Sequence, residues 1–241
     1  VDGVESYISK RRYLGIMPTG RTHMTTQMRL IATIMVHRAL FEQQHHMTDD
    51  QTAFSQAMDN YHTVINYFNS LKEVGKVDAQ FHTEFTKYTR RLFKRVMRNK
   101  NRLECLYLYD KAFSKSELTG RRTGSEVVEE LSRVSRCWDN TKRYPYQENG
   151  TWKYSCTPPD MVLATNMISV GIDVNRFNTM VVNSMPRNFA EYIQASSRVA
   201  RDVKGLVITL HNPYRVRDLS HFERFQEFHE KLYYYVEPIS I

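Results

Sequence analysis

Two segments in the last third of the chain hold the residues best suited to chemistry. The first, residues 163–174, reads LATNMISVGIDV. A strand feeding Thr165 and a loop carrying Gly171 would set a hydroxyl and backbone N–H groups at the carboxyl edge of a sheet, where ligands bind in α/β folds. Asp173 adds a carboxylate suited to a ribose hydroxyl or to orienting an arginine. The second, residues 192–201, reads YIQASSRVAR. Arg198 and Arg201 stand three apart on an expected helix, so both would project from one face. Two guanidinium forks on one face match phosphate oxygens. Taken alone, such a pair is equally a solvated basic face.

Two further stretches carry charge or phosphate-loop spacing. Residues 15–22, GIMPTGRT, match the spacing of a P-loop with Arg21 in place of lysine, and a helix is expected after them. Arginine is bulkier and forked, Pro18 removes an N–H, and the residues before Gly15 are polar and basic rather than a buried strand. A turn before the next helix is the better reading, and Leu106–Asp110 is likewise set aside as a Walker B strand. Residues 86–102 hold eight basic residues and no acidic one, with Tyr88, Leu92, Phe93 and Val96 as an apolar face. A basic amphipathic helix of this kind suits a phosphate backbone, an anionic membrane or an acidic protein. Arg91, Lys94 and Arg95 are its candidate contacts.

The elements that must position these residues alternate between strand and helix. Residues 24–46 repeat apolar side chains at helical spacing, 50–59 form a weaker helix, and 62–68 read as a strand. A short helix from Leu71 should stop near Gly75, and a longer one should run over 78–98. Residues 103–109 and 116–119 read as strands. A helix follows from an N-cap at Ser125, and then a loop or hairpin over 139–159 with Asn149-Gly150 at its turn. Strands are expected at 161–164, 179–182 and 206–210, a helix at 188–200, and a last helix capped by Ser220 with Glu223. This order predicts an α/β fold with a mostly parallel sheet. Residues 1–57 read as a helical linker or N-terminal extension. Residues 58–241 read as the domain, with a basic helical insertion at about 76–102.

Composition narrows the classes. The chain has 241 residues, 41% hydrophobic, with 15 Tyr, 12 Phe and 2 Trp, too many aromatics for a solvated coil. Its longest apolar runs, such as residues 30–36, fall well short of the roughly 20 residues that span a bilayer, so no membrane association is expected. The net charge is +8, the charge of residues 86–102 alone, so the remainder is neutral. Three cysteines without a CxxC spacing argue against a disulfide framework or zinc knuckle and for a reducing, cytoplasmic compartment. His45-His46 has no supporting carboxylate or thiol cluster, so no metal site is expected. The chain opens on Val1 without a signal peptide and closes on a short extended stretch, and it reads as part of a longer protein.

The two segments of the opening paragraph, separated by a strand that leads to Pro186, resemble motifs V and VI of superfamily 2 helicases, ATxxxxxGIDV and QxxGRxGR. The resemblance covers roughly residues 58–236 and implies the second, C-terminal RecA-like domain of such an enzyme. By it, Arg201 is the arginine finger, Arg198 a second γ-phosphate contact, and Gln194 lies near the nucleotide with Gly171 and Asp173. Residues 68–70 resemble motif IV, with Ser70 at a helix start facing a nucleic-acid phosphate. Residues 117–121, with Thr119 and Gly120, resemble a backbone-contacting segment, and Thr165 joins them. Ser197 and Ala200 stand where the family usually has glycine, and Asn166 where an acidic residue is common. The resemblance further implies ATP with Mg2+, bound mainly by an upstream RecA-like domain, and nucleic acid as partner, DNA favoured over RNA. The fragment alone should be inactive. Details such as Tyr192-Ile-Gln194 look similar to large bacterial helicases of phage-defence or mobile-element clusters. A non-catalytic nucleic-acid-binding module on an α/β scaffold is the alternative.

Overall fold

The computed structural model describes residues 10–45, 47–96, 113–139, 146–148, 151–153, 157–166 and 174–236. Six strands form one parallel sheet in the order β1-β8-β7-β2-β6-β3. They are β1 (Arg11–Ile16), β2 (Val64–Phe68), β3 (Lys115–Leu118), β6 (Met161–Ala164), β7 (Thr179–Asn183) and β8 (Gly205–Leu210); β4 (Tyr146–Glu148) and β5 (Thr151–Lys153) make a separate antiparallel hairpin. Strands β2, β6 and β7 are apolar runs buried along their length, as strands covered on both faces must be.

Alternation along β2 sorts the two layers. Val64 and Phe68 face α1 (His23–His45), which α2 (Gln51–His62) follows in the chain, and a helical run made of α3 (Leu71–Gln80), a π-turn (Phe81–Phe85) and α4 (Thr86–Val96); Met28, Ile31, Met35, Phe81 and Phe85 complete that core. Ile65 and Tyr67 face the opposite layer, α5 (Gly124–Val134), α6 (Phe189–Ser196) and the C-terminal α7 (Val216–Glu223) and α8 (Phe225–Glu230), with Tyr192, Ala195, Phe228 and Leu232. On the outer side of α1, Leu92 and Phe93 of α4 pack on Val36, Ala39 and Leu40.

Several elements depart from the sequence reading. Residues 11–16, expected as polar chain ahead of the domain, pair in parallel with β8 along six registers, and α1 packs on the sheet. Arg12 and Leu14 point outward from this half-buried edge strand, which conceals it in the sequence. Helix α3 does not stop at Gly75 but continues through the π-turn, because Val74, Val77, Phe81 and Phe85 stay buried on one side. α5 is capped by Thr123, not Ser125, in a reciprocal capping box with Glu126. The last helix begins at Val216, so Ser220 lies inside it, and the axis breaks at Arg224. The strand expected at 103–109 and the Asn149-Gly150 turn lie outside the described residues.

Candidate functional site

Because all six strands run the same way, the sheet has two chemically distinct edges. At the amino edge, α6 delivers the two arginines of interest. The helix closes at Ser196 rather than Ala200. Ser197 N–H donates back to Ile193 O at 2.9 Å, and Ala200 takes a left-handed φ of 56°. Burial sets the stop: Val199 and Ala200 are pulled into the core, and Ala200 N–H donates to Phe177 O at 2.9 Å. Arg198 and Arg201 therefore sit on a tight turn, half-buried, not on one helical face. Gln194 is exposed on the last turn of α6, and Ser197 Oγ donates to its carbonyl at 2.8 Å.

The turn is held from β1. Arg11 Nε donates to Val199 O at 2.8 Å, and Lys10 Nζ donates to Arg201 O at 3.0 Å. Sequence reading missed these two cations as site residues. Their signal was the basic run at 10–12, which gains meaning only once β1 lies beside β8. Gly205 is fixed here as well, since a Cβ would stand 2.5 Å from Asn178 O and 2.7 Å from Ala200 Cβ. Two buried arginines anchor the same edge. Arg176 donates to Asp59 Oδ1 (2.9 Å), Thr63 Oγ1 (2.9 Å) and Val134 O (3.1 Å), while Arg38 pairs with Asp160.

At the carboxyl edge lie Ser70, Thr119, Gly120 and Thr165. Ser70 caps α3, its Oγ accepting Glu73 N–H at 3.4 Å, and stays exposed. Thr165 N–H donates to Leu118 O at 3.4 Å, which sets Thr165 beside the 119–120 turn. Thr119 is fully buried and its hydroxyl donates to Glu117, whereas Gly120 is exposed. Burial pushes the Glu117 carboxyl up, but hydrogen bonds from Arg121 and Thr119 outweigh it and hold the group below the usual carboxylate range. Arg121 grips it with two bonds of 2.8 Å. Arg121 and Arg122 are the cations that the turn presents to solvent.

The remaining candidates fall apart from these edges. Arg91, Lys94 and Arg95 are exposed on α4, the helix stacked on the outside of α1. Gly171 and Asp173 lie outside the described residues, as do Arg98, Lys100 and Arg102. Among the described residues, no group of three or more His, Cys, Asp or Glu is placed to hold a metal ion, and no helix is long and apolar enough to cross a membrane.

A parallel six-stranded sheet covered on both faces by helices is the fold of a RecA-like domain. Residues 152–203 match the helicase conserved C-terminal domain family. The chain is 34% identical over 227 residues to the DISARM protein DrmA of Bacillus paralicheniformis, covering 94% of this chain and 18% of that protein. The fold is similar to that of the DUF1998 helicase MrfA bound to DNA, with a TM-score of 0.53, 13% identity, and coverage of 91% of this chain and 22% of that one. It is also similar to Saccharomyces cerevisiae Dbp5 bound to RNA and ADP BeF3, with a TM-score of 0.50, 11% identity, and coverage of 95% and 46%. The chain thus resembles helicase C-terminal domains in sequence and fold, and spans under a fifth of the length of its DrmA relative.

Proposed function

We propose that the chain is the C-terminal half of an ATP-dependent helicase or translocase, working at both edges of its sheet. The observation that carries this reading is their separation. Arg198 and Arg201 stand on a braced turn at the amino edge, while Ser70, Gly120 and Thr165 stand at the carboxyl edge. An upstream RecA-like domain would hold ATP and Mg2+ against the amino edge. The donor set here fits that role: guanidinium groups match phosphate oxygens. Arg201 would stabilise charge on the transferring phosphoryl group, Arg198 would bind a second oxygen, and Gln194, Gly171 and Asp173 would line the nucleotide.

Nucleic acid would cross the carboxyl edge on the start of α3 at Ser70, the backbone at Gly120, and Thr165. Thr119 would act there through its backbone, since its hydroxyl is engaged with Glu117. DNA is favoured over RNA as the nucleic acid, and a cytoplasmic setting goes with this reading. The alternative, a non-catalytic nucleic-acid-binding module, draws on the exposed basic face of α4, with Arg91, Lys94 and Arg95.

The test uses the full-length protein. Arg201→Ala should lower nucleic-acid-stimulated ATP turnover by at least about a hundredfold, within the range for an arginine finger, with nucleic-acid affinity kept within twofold. Unchanged turnover, or none in the parent, favours the binding module. The isolated chain should turn over no ATP.

A further inference from the structure

Beyond the residues that the motifs name, the carboxyl edge carries an aromatic side chain for which the fold has no use. Tyr214 is 87% exposed, on the loop that follows β8. Its backbone is fixed on every side. Tyr214 N–H donates to Asn212 Oδ1 at 3.0 Å, an Asx-type turn, and Arg215 N–H donates to Asn212 O at 3.0 Å. Asn212 N–H is held at 2.9 Å by the buried Asp218, which also accepts Met185 N–H at 3.1 Å. Pro213 restricts the remaining torsion. A large ring held outward on a rigid turn forgoes the burial that aromatic side chains usually find.

The loop leans toward the proposed nucleic-acid path. Arg215 pairs with Glu73 of α3 at 3.1 Å, one turn from the Ser70 cap. Asn69 Nδ2 donates to Asn183 O, Ser184 O and Met185 O at 3.0, 3.1 and 3.4 Å, and Arg217 donates to Met185 O at 2.6 Å. The loops after β2, β7 and β8 are thereby laced into one rim. Residues 69–72, 184–188 and 211–217 contain four cations, Lys72, Arg187, Arg215 and Arg217, and no Asp or Glu. Val216 is 86% exposed beside Tyr214, and Leu71 is exposed next to Ser70. An outward ring on a rim rich in cations, whose neighbouring carboxylates Glu73 and Asp218 are engaged with Arg215 and with backbone N–H groups, is an arrangement that binds single strands, with bases stacking on the aromatic face and phosphates meeting the charges.

We propose that Tyr214 is a stacking platform for a base of single-stranded nucleic acid, seated on the β8 loop beside the Ser70 end of α3. This rests on the reading of the carboxyl edge as a nucleic-acid track and extends that track past the motif residues to the loop after β8. The shared chemistry is a nucleobase on a charged backbone, so both sugar types belong in the test.

The experiment measures binding of labelled single-stranded deoxy- and ribo-oligonucleotides to the full-length protein by anisotropy at one salt concentration. Tyr214→Ala should weaken binding about tenfold, within the range for loss of one stacked base, and Tyr214→Phe should stay within twofold of the parent. An abasic scan of the oligonucleotide should find one position whose loss weakens the parent but leaves Tyr214→Ala unchanged. The oligonucleotide type showing this pattern identifies the ligand. Parental affinity in Tyr214→Ala overturns the stacking role while the proposed track stands. The same affinity with a lowered melting temperature assigns Tyr214 to a contact within the longer chain and also overturns it. Failure of the parent to bind either oligonucleotide overturns the track and the platform together.

Discussion

The two edges of the sheet are held by different chemistry. The amino edge is fastened by charge taken out of water: Arg176 reaches Asp59, Thr63 and Val134, and Arg38 pairs with Asp160 beside His62. At the carboxyl edge the strand ends are laced by bonds to backbone groups, with Asn69 spanning the end of β7 and the buried Asp218 carboxylate holding Asn212 N–H and Met185 N–H. A buried ion pair tolerates little displacement, because any opening strands a charge. Neutral hydrogen bonds exchange with water at small net cost. The edge proposed to align arginines on a phosphoryl group therefore has the stiffer fastening. At the edge proposed to let a strand pass, the Asn69 bonds are the more easily exchanged ones.

Two substitutions sharpen this contrast. Arg176→Ala leaves Asp59 without its guanidinium and should cost about 4 kcal/mol of stability, as loss of one member of a buried pair does. Asn69→Ala removes three bonds to carbonyls and should cost about 1.5 kcal/mol. Urea unfolding of the two variants gives the comparison directly. Equal losses would mean that the fastenings do not differ in kind.

The sequence made the centre of the sheet legible and its margins obscure. The strands at 64–68, 161–164, 179–183 and 205–210, expected over 62–68, 161–164, 179–182 and 206–210, were legible because burial leaves mostly apolar runs there. β1 escaped notice because an edge strand alternates, and its outward positions are Arg12 and Leu14. Spacing singled out the two arginines, but their geometry was not legible. Nothing in Ser197–Arg201 breaks a helix by propensity; the stop comes from Val199 entering the core and from a hydrogen bond to Phe177. Lys10 and Arg11 lie some 190 residues from the turn that they brace, and only the β1–β8 pairing joins them. Tyr214 gave no signal beyond its residue type, since exposure is a property of the fold.

Acid should act on the block of helices over β8. His211, at the carboxyl end of β8, is fully buried between the rings of Phe222 and Phe225, and burial pulls its pKa from 6.5 down to about 4. Burial also lowers His221 and His229. The folded chain keeps His211 neutral where the unfolded chain takes up a proton. Stability is therefore full above pH 6.5, falls as pH drops toward 4, and levels off once the folded form is protonated. The slope for one such group reaches about 1.4 kcal/mol per pH unit. His211→Leu should flatten this part of the profile in urea titrations between pH 7 and 4.5. An unchanged slope would move the acid sensitivity to other groups, His221 and His229 first among them.

The smallest expected effect concerns backbone strain, which both edges share. Ala200 at φ 56° and Ser184 at φ 64° are the positive-φ residues other than glycine among the described positions, one at each edge. Ala200 stands where the resembled motif usually has glycine, and its conformation supplies the reason. An L side chain in the left-handed region costs about 1–2 kcal/mol, and glycine avoids that cost at the expense of a more flexible unfolded chain. Ala200→Gly should therefore stabilise the domain by about 0.5–1 kcal/mol, a rise in Tm of about 1–4 °C for a domain of this size. The Cβ removed is buried beside Gly205, so some packing is lost and the gain stays modest. The strain lies between Arg198 and Arg201, so relieving it also tests whether the turn is tuned. Faster turnover in Ala200→Gly would mean that alanine holds the arginines off their best geometry. Unchanged turnover with higher Tm would mean that Arg11 and Lys10, not residue 200, set the turn. A lower Tm would show that the buried methyl outweighs the backbone term.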